Sequence, residues 1–333
     1  MLVDRRTLLT RGPSLPRMSS TTADVWLRVH RVAMACRFEV LLSGDDGRHT
    51  AAAHDALREA DRLDALWSIH REDSAIALLN RTAADAPVPV DAESFALLVL
   101  AQDLWRRTAG AFDITTTPLS RCWGFLARDG RVPDPAEIEA ARTSVGLDRV
   151  ALDAAGQTVQ FRVRGTELNL GAIGKGAAVD AVAARLAQHG VRDALVSAAG
   201  SSARAIGGRD GGFAIDVTSP LVDRPLARLR LHRGALGTSG IGLQSIVQDG
   251  RRFGHVIDPR TGWPATGIVS ATVVAADAAT ADALSTAMLI GGPPLAERYC
   301  AARPDTFVLL TTDDLRTVRF GASRAARVEA LCT

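Results

Sequence analysis

Asn169-Leu-Gly-Ala-Ile-Gly-Lys-Gly-Ala-Ala-Val-Asp180 is the stretch from which the rest of the chain can be read. Glu167 to Leu170 reads as a strand, Gly171 to Gly174 as a turn of small residues, and Gly174 to Gly190 as an alanine-rich helix closed by glycine. A turn of that kind lets a ligand approach the backbone, and the free N–H groups of a helix start attract anions. Lys175 falls in the first helical turn, where the helix dipole works against a cation. A bound phosphate would offset that penalty. Of the 39 lysines and arginines in the chain, Lys175 is the only lysine. A bias toward arginine accounts for the others. It does not account for the one position that kept a compact ammonium, which is not interchangeable with a planar guanidinium beside a phosphate. The pattern is neither a Walker A loop nor the dinucleotide fingerprint, and a simple glycine-rich turn with a surface lysine would use the same residues.

Outward from this segment, helices gather early and strands later. Val25 to Leu42 reads as extended, Thr50 to Ser68 and Asp91 to Thr108 as amphipathic helices, and Pro135 to Val145 as a short helix. Strands are expected at Arg149–Leu152, Thr158–Val163, Ala194–Ser197, Phe213–Thr218, Leu226–His232, Leu243–Gln248 and Ile268–Ala275. Ala278 to Ile290 reads as a helix stopped by Gly291-Gly292, and Phe307–Thr311 with Arg316–Phe320 as a closing hairpin. There is no regular βαβ alternation, so the expected class is α+β, with a mixed or antiparallel sheet and packed helices. No internal linker divides the chain. The expected organisation is a loose tail over 1–22 and one domain over 23–325.

Composition narrows the function. The 333 residues are 47% apolar with a formal charge of +2, which supports a sizeable core and supplies no field to recruit nucleic acid. Cys36, Cys122, Cys300 and Cys332 form no CxxC pair, against a zinc cluster or redox dithiol. Asp4-Arg-Arg-Thr-Leu-Leu9 resembles the start of a twin-arginine signal, and Val32-Ala-Met-Ala-Cys36 a lipoprotein cleavage box. Neither has the apolar run that an export signal needs. A cytoplasmic protein is therefore expected, with an exported or membrane-associated one as the alternative, and no transmembrane segment.

Four further clusters bear chemistry. Gly110-Ala-Phe-Asp-Ile-Thr-Thr-Thr-Pro-Leu119 leads from a helix end into an extended run. Its Asp113 either caps local backbone or holds a polar ligand. His255-Val-Ile-Asp-Pro-Arg-Thr-Gly-Trp-Pro264 is a loop of turn formers behind a histidine able to move a proton near neutral pH, with Asp258 and Arg260 placed to orient it or a ligand. In Ala281-Asp-Ala-Leu-Ser-Thr286, Asp282 and Thr286 lie one turn apart, a carboxylate and a hydroxyl suited to Mg²⁺ or simply to helix capping and back-bonding. Trp67-Ser-Ile-His-Arg-Glu-Asp-Ser74, followed by Asn80, reads as a loop and helix start capped by Asp73 or Ser74.

Taken together and in this order, the clusters resemble those of the FAD:protein FMN transferases, the ApbE-like flavin transferase family, from about Met34 to about Gly292. The resemblance implies a single T-fold-like α+β domain. It implies Mg²⁺-dependent cleavage of FAD, attachment of FMN through a phosphoester to a threonine of a target flavoprotein, and release of AMP. On the same ground, Asp282 and Thr286 would bind the metal through side chains, and Ala172 and Ser285 through backbone oxygens. Met34, His70, Ala111, Phe112, Asp113, Asn169, Lys175 and Val256 would line the flavin site, and His255 would be the base. Several positions depart from the family pattern. Met34-Ala-Cys36 stands for Met-Gly-Thr, His70 for a common tyrosine, Asn169 for an aspartate, and Ala199-Gly-Ser-Ser202 for a Gly-Gly-Asp run. The same site without a protein acceptor would make an Mg²⁺-dependent FAD pyrophosphatase, and without catalysis a flavin carrier.

Overall fold

A computed structural model describes residues 26–208, 211–218, 221, 225–241 and 245–331. The expected tail, its arginine pair and Cys332 lie outside the described residues. The chain opens with a hairpin of β1 (Trp26–Ala33) and β2 (Cys36–Ser43), then α1 (Thr50–Trp67), α2 (Ala75–Thr82), a short β3 (Val88–Pro89) and α3 (Ala92–Arg107). α4 (Thr117–Cys122) and α5 (Pro135–Arg142) precede β4 (Val150–Asp153) and β5 (Thr158–Phe161). A 3-10 turn at Leu170–Ala172 leads into α6 (Gly174–Gln188). The middle of the chain is β6 (Ala194–Ala198), β7 (Ser202–Ile206), β8 (Phe213–Thr218), β9 (Pro225–Leu231), β10 (Ala235–Gly240), β11 (Ser245–Gln248), β12 (Arg251–Gly254) and β13 (Ile268–Ala275). It closes with α7 (Ala278–Ala302), β14 (Phe307–Thr312), β15 (Thr317–Gly321) and β16 (Ala326–Leu331).

Every strand pairing among the described residues is antiparallel, which confirms the α+β class and settles its sheet type. The main sheet has eight strands in the order β1-β2-β6-β7-β10-β13-β14-β15. Side chains alternate across it, as a period of two requires. Val40, Leu42, Val196, Val273, Val308 and Leu310 face the helices. Leu41, Leu195, Val274, Phe307 and Leu309 face the opposite way. There they meet Ile215, Val217, Leu229 and Leu231 of the three-stranded sheet β16-β9-β8. The main sheet is thus covered on both sides. This explains why β13 is buried at every position and why apolar residues occupy both of its faces.

The helix starts carry the expected caps. The Ser74 hydroxyl accepts from the Ala77 N–H at 3.0 Å and the Asp91 carboxylate from the Ser94 N–H at 2.9 Å. α7 begins on the Asp277 cap, 2.7 Å from the Thr280 N–H, and is broken at Gly292 (φ 59°, ψ −157°), where the sequence placed its end. Helical turns resume through Pro293 and Pro294, a continuation the sequence reading missed. Two segments correct that reading. Thr117–Cys122 is a helix with Pro118 in its first turn, not an extended run. Glu167–Leu170 is not a strand, because its backbone bonds elsewhere: Leu168 exchanges two hydrogen bonds with the Asn80 side chain (2.7 and 2.9 Å), and the Asn169 N–H donates to the Ile114 carbonyl at 2.8 Å. β16 lies beyond residue 325 and pairs with β9.

Two glycines set how closely the elements that carry Lys175 and Asp282 approach. A Cβ on Gly176 would stand 2.1 Å from the Ala278 carbonyl oxygen, and one on Gly237 2.5 Å from the Ala281 carbonyl carbon. Both obstacles are backbone, which cannot turn aside. Gly176→Ala should therefore destabilise the protein by about 1–3 kcal/mol, the usual cost of overpacking, read as a lowered urea midpoint. A midpoint equal to the parent's would mean that the α6–α7 contact is looser than described.

Candidate active site

α6 and α7 present Lys175 and Asp282 to each other. Asp282 lies in the second turn of α7 and is 3% exposed. Its Oδ2 accepts from the Gly176 N–H at 3.1 Å and lies 3.6 Å from the Lys175 ammonium; its Oδ1 accepts from the Ser202 hydroxyl at 3.1 Å. Lys175 also donates to the Gly171 carbonyl at 3.1 Å. Here the sequence argument needs amending. The adverse dipole at the start of α6 is already countered by Asp282, so the position of Lys175 does not by itself require a phosphate. The two oxygens that hold the ammonium define a place where positive charge is favoured.

Serine and threonine hydroxyls surround this pair. Ser239 of β10 lies 2.7 Å from the Ser285 hydroxyl and 3.0 Å from that of Thr286, and Ser285 donates to the Asp282 carbonyl at 2.7 Å. Thr238 and Thr272 bond across β10 and β13 at 2.9 Å on the opposite face of the sheet, the side of Leu236 and Val274. The Cys36 thiol is close enough to feel both charges. Burial pushes its pKa up to about 11, with Lys175 lowering it and Asp282 raising it, so it stays a neutral thiol. Met34 and Ala35 (φ 48° and 55°) form the turn of the β1–β2 hairpin, and Ala199 and Gly200 (φ 53° and 66°) the turn of β6–β7. The Ala199 N–H donates to the Arg37 carbonyl at 2.9 Å, which joins the base of one turn to the other.

The other predicted residues are placed unevenly. Asn169, bonded to Ile114 as above, ties the Asp113 segment to this centre, and its own side-chain oxygen accepts from the Gly171 N–H at 2.9 Å, capping the 3-10 turn that includes Ala172. Ala111 and Phe112 are fully buried in the helix-side core. The Asp113 carboxylate is turned inward to the Thr115 N–H and hydroxyl (2.7 and 2.6 Å) and the Leu147 N–H (3.2 Å). Burial pushes its pKa up to about 6, against the pull of those bonds. Its side chain thus caps backbone at Thr115 and at Leu147. His70 is exposed in the turn after α1.

His255 and Val256 are half-buried at the start of a clamped loop. The Val256 carbonyl accepts from the Ala265 N–H at 2.9 Å, Trp123 Nε1 donates to the Gly262 carbonyl at 2.9 Å, and the Phe125 ring meets His255 edge-on at 6.5 Å. Asp258 and Arg260 pair with each other through two contacts of 2.8 Å, which lock the loop. A cleft of about 490 Å³ separates this loop from the Asp113 segment, with Trp105, Gly110, Asp113, Gly146, Pro259 and Arg260 on its walls. A larger groove of about 680 Å³ runs beside the second half of α6 and carries none of the predicted site residues.

Sequence reasoning gives no role to three residues of this centre. Ser239 stands in a small-residue run between expected strands. Ser202 enters only as the end of a run that departs from the family pattern, and Asp180 only as the end of the Lys175 segment. In the structure Asp180 accepts from the Ala278 and Ala279 N–H groups, both at 2.9 Å, and pairs with Arg204, so it anchors the start of α7. Burial pushes its pKa up.

Known proteins are similar to this chain in sequence and in fold. A sequence model of the ApbE family matches residues 33–310. The FAD:protein FMN transferase of Treponema pallidum is 32% identical, over 85% of this chain and 84% of its own. That of Salmonella typhimurium is 31% identical, over 79% and 78%. Among solved structures, the ApbE protein of Thermotoga maritima superposes with a TM-score of 0.81 at 29% identity, covering 90% of this chain and 97% of its own. The flavin transferase ApbE of Vibrio cholerae does so with a TM-score of 0.78 at 26% identity, over 90% and 98%. The match spans the sheet, the helices and the loops that carry Lys175, His255 and Asp282, and this chain belongs to the ApbE family.

Proposed function

We propose that this protein transfers FMN from FAD to a threonine of a target flavoprotein, releasing AMP, with Mg²⁺ held at Asp282 and Thr286 and at the backbone oxygens of Ala172 and Ser285. Family membership supports the coarser part, a transferase acting on flavin. The observation that carries the finer part is the buried Asp282 carboxylate beside the one ammonium of the chain, 3.6 Å away.

The donor set suits such an ion. Asp282 and the neighbouring hydroxyls and carbonyls are hard oxygen ligands, and the nearby Cys36 stays protonated. Among the described residues no three His, Cys, Asp or Glu side chains gather into a metal cage. That suits Mg²⁺, which usually takes one or two carboxylates and completes its shell with water and substrate phosphate. When bound, the ion would supply charge neutralisation on the pyrophosphate.

Lys175 adds a second positive group at the same place. Phosphoryl transfer needs this alignment more than covalent help. The acceptor threonine oxygen bonds to the phosphorus of the FMN half, the bond from that phosphorus to the bridging oxygen breaks, and AMP leaves. A ring nitrogen of His255 takes the threonine proton. The clamps on its loop hold the imidazole still while this happens.

Incubating the protein with FAD and Mg²⁺, with and without a threonine-bearing acceptor flavoprotein, tests the reading. Covalently yellow acceptor is expected. FMN released to solution without labelling would make the protein a pyrophosphatase, and unchanged FAD a carrier. Asp282→Asn keeps the shape and removes the charge. It should slow labelling by about 10²–10³-fold, the usual loss for a charge-stabilising group, and parental labelling would refute the metal assignment. Lys175→Arg keeps the charge and should still slow labelling in a single-turnover assay, because the guanidinium cannot replace a compact ammonium. An unchanged rate would show that position 175 needs only a cation.

A further inference from the structure

Ser239 touches the two hydroxyls of α7 nearest Asp282, at 2.7 Å for Ser285 and 3.0 Å for Thr286. Each hydroxyl has one proton to give. That of Ser285 goes to the Asp282 backbone carbonyl, which can only accept. Ser239 must then be the donor toward Ser285. Its proton being committed there, it can only accept from Thr286. The order Thr286 to Ser239 to Ser285 to the Asp282 carbonyl is the one arrangement that satisfies all three contacts.

We infer that Ser239 is a positioning residue that draws the Thr286 proton to the β10 side, so that Thr286 offers lone pairs and not a proton to a cation beside Asp282. The inference rests on the metal reading above and adds a residue that acts through Thr286. Ser239 comes within reach because Gly237, two residues before it, lets β10 lie directly against α7. Outer partners that orient a metal ligand typically account for 10–100-fold in metal affinity.

Calorimetric titration of Mg²⁺ tests this, using the full chain saturated with an FAD analogue that carries a methylene in place of the bridging oxygen and cannot be cleaved. Ser239→Ala should weaken Mg²⁺ about tenfold, and Ser239→Thr, which restores the hydroxyl, should recover the parental affinity. Ser285→Ala should also weaken it, since the Ser239 proton is then free to turn toward Thr286. This second variant replaces a fully buried serine by its smaller homologue and carries the test if Ser239→Ala does not fold. In a Thr286→Ala background, Ser239→Ala should add no further loss. Parental affinity in both Ser239→Ala and Ser285→Ala, or losses that add in the double variant, would overturn the relay. If Asp282→Asn abolishes binding in that same case, the metal site stands and only the relay falls. If the parent itself binds no Mg²⁺, the metal reading falls and the relay with it.

Discussion

The contact between the start of α6 and the start of α7 is the constraint on which this site rests. Gly176 has no side chain because the α7 backbone occupies that space, and its N–H points at Asp282. Gly237 plays the same part from the sheet. Helix, helix and strand meet at backbone-to-backbone distance, and the small side chains that remain there, Ser202, Ser239, Ser285 and Thr286, all reach one carboxylate or one another. Larger apolar residues would have filled the same volume with methylenes and taken the Ser202 donor from Asp282, a costly loss for a buried charge.

Acidic residues hold this junction from three directions. Asp180 on α6 takes the first two N–H groups of α7, Asp277 caps the third residue of that helix, and Asp282 takes an N–H back from α6. Each carboxylate faces the positive end of a helix, where negative charge is favoured. Arg204 and Lys175 complete the balance at Asp180 and Asp282. The same features that stitch the helices together therefore fix the geometry of the candidate site, and stability and chemistry are not separable there.

Much of this was legible in the sequence. Periodicity placed α1, α3, α6 and most of the sheet, because those segments bury one face and show it. Lys175 stood out by its singularity and the His255 loop by its turn formers, whereas Asp282 with Thr286 has an ordinary reading alone and gained weight beside the other clusters. What stayed hidden had no pattern to show. β10, Ala-Leu-Gly-Thr-Ser-Gly, sits in the middle of the main sheet and yet reads as a turn, because close helix approach demands glycine and serine where a strand normally carries branched apolar residues. Asp180 carried no signal because two of its partners are backbone N–H groups, which leave no trace in side-chain spacing. Glu167–Leu170 misled in the opposite direction. Its alternation is that of a strand, and its hydrogen bonds go to a side chain and a loop.

The pairing of Lys175 with Asp282 has a practical corollary. Its side chain is 26% exposed, and it is the only primary amine among all the side chains of the protein. Acylating or reductively alkylating reagents, which on most proteins scatter over dozens of sites, have a single internal target here, apart from the α-amino group. The ammonium must first shed its proton and leave Asp282. The rate of such labelling is accordingly a built-in gauge of how firmly that carboxylate holds its partner.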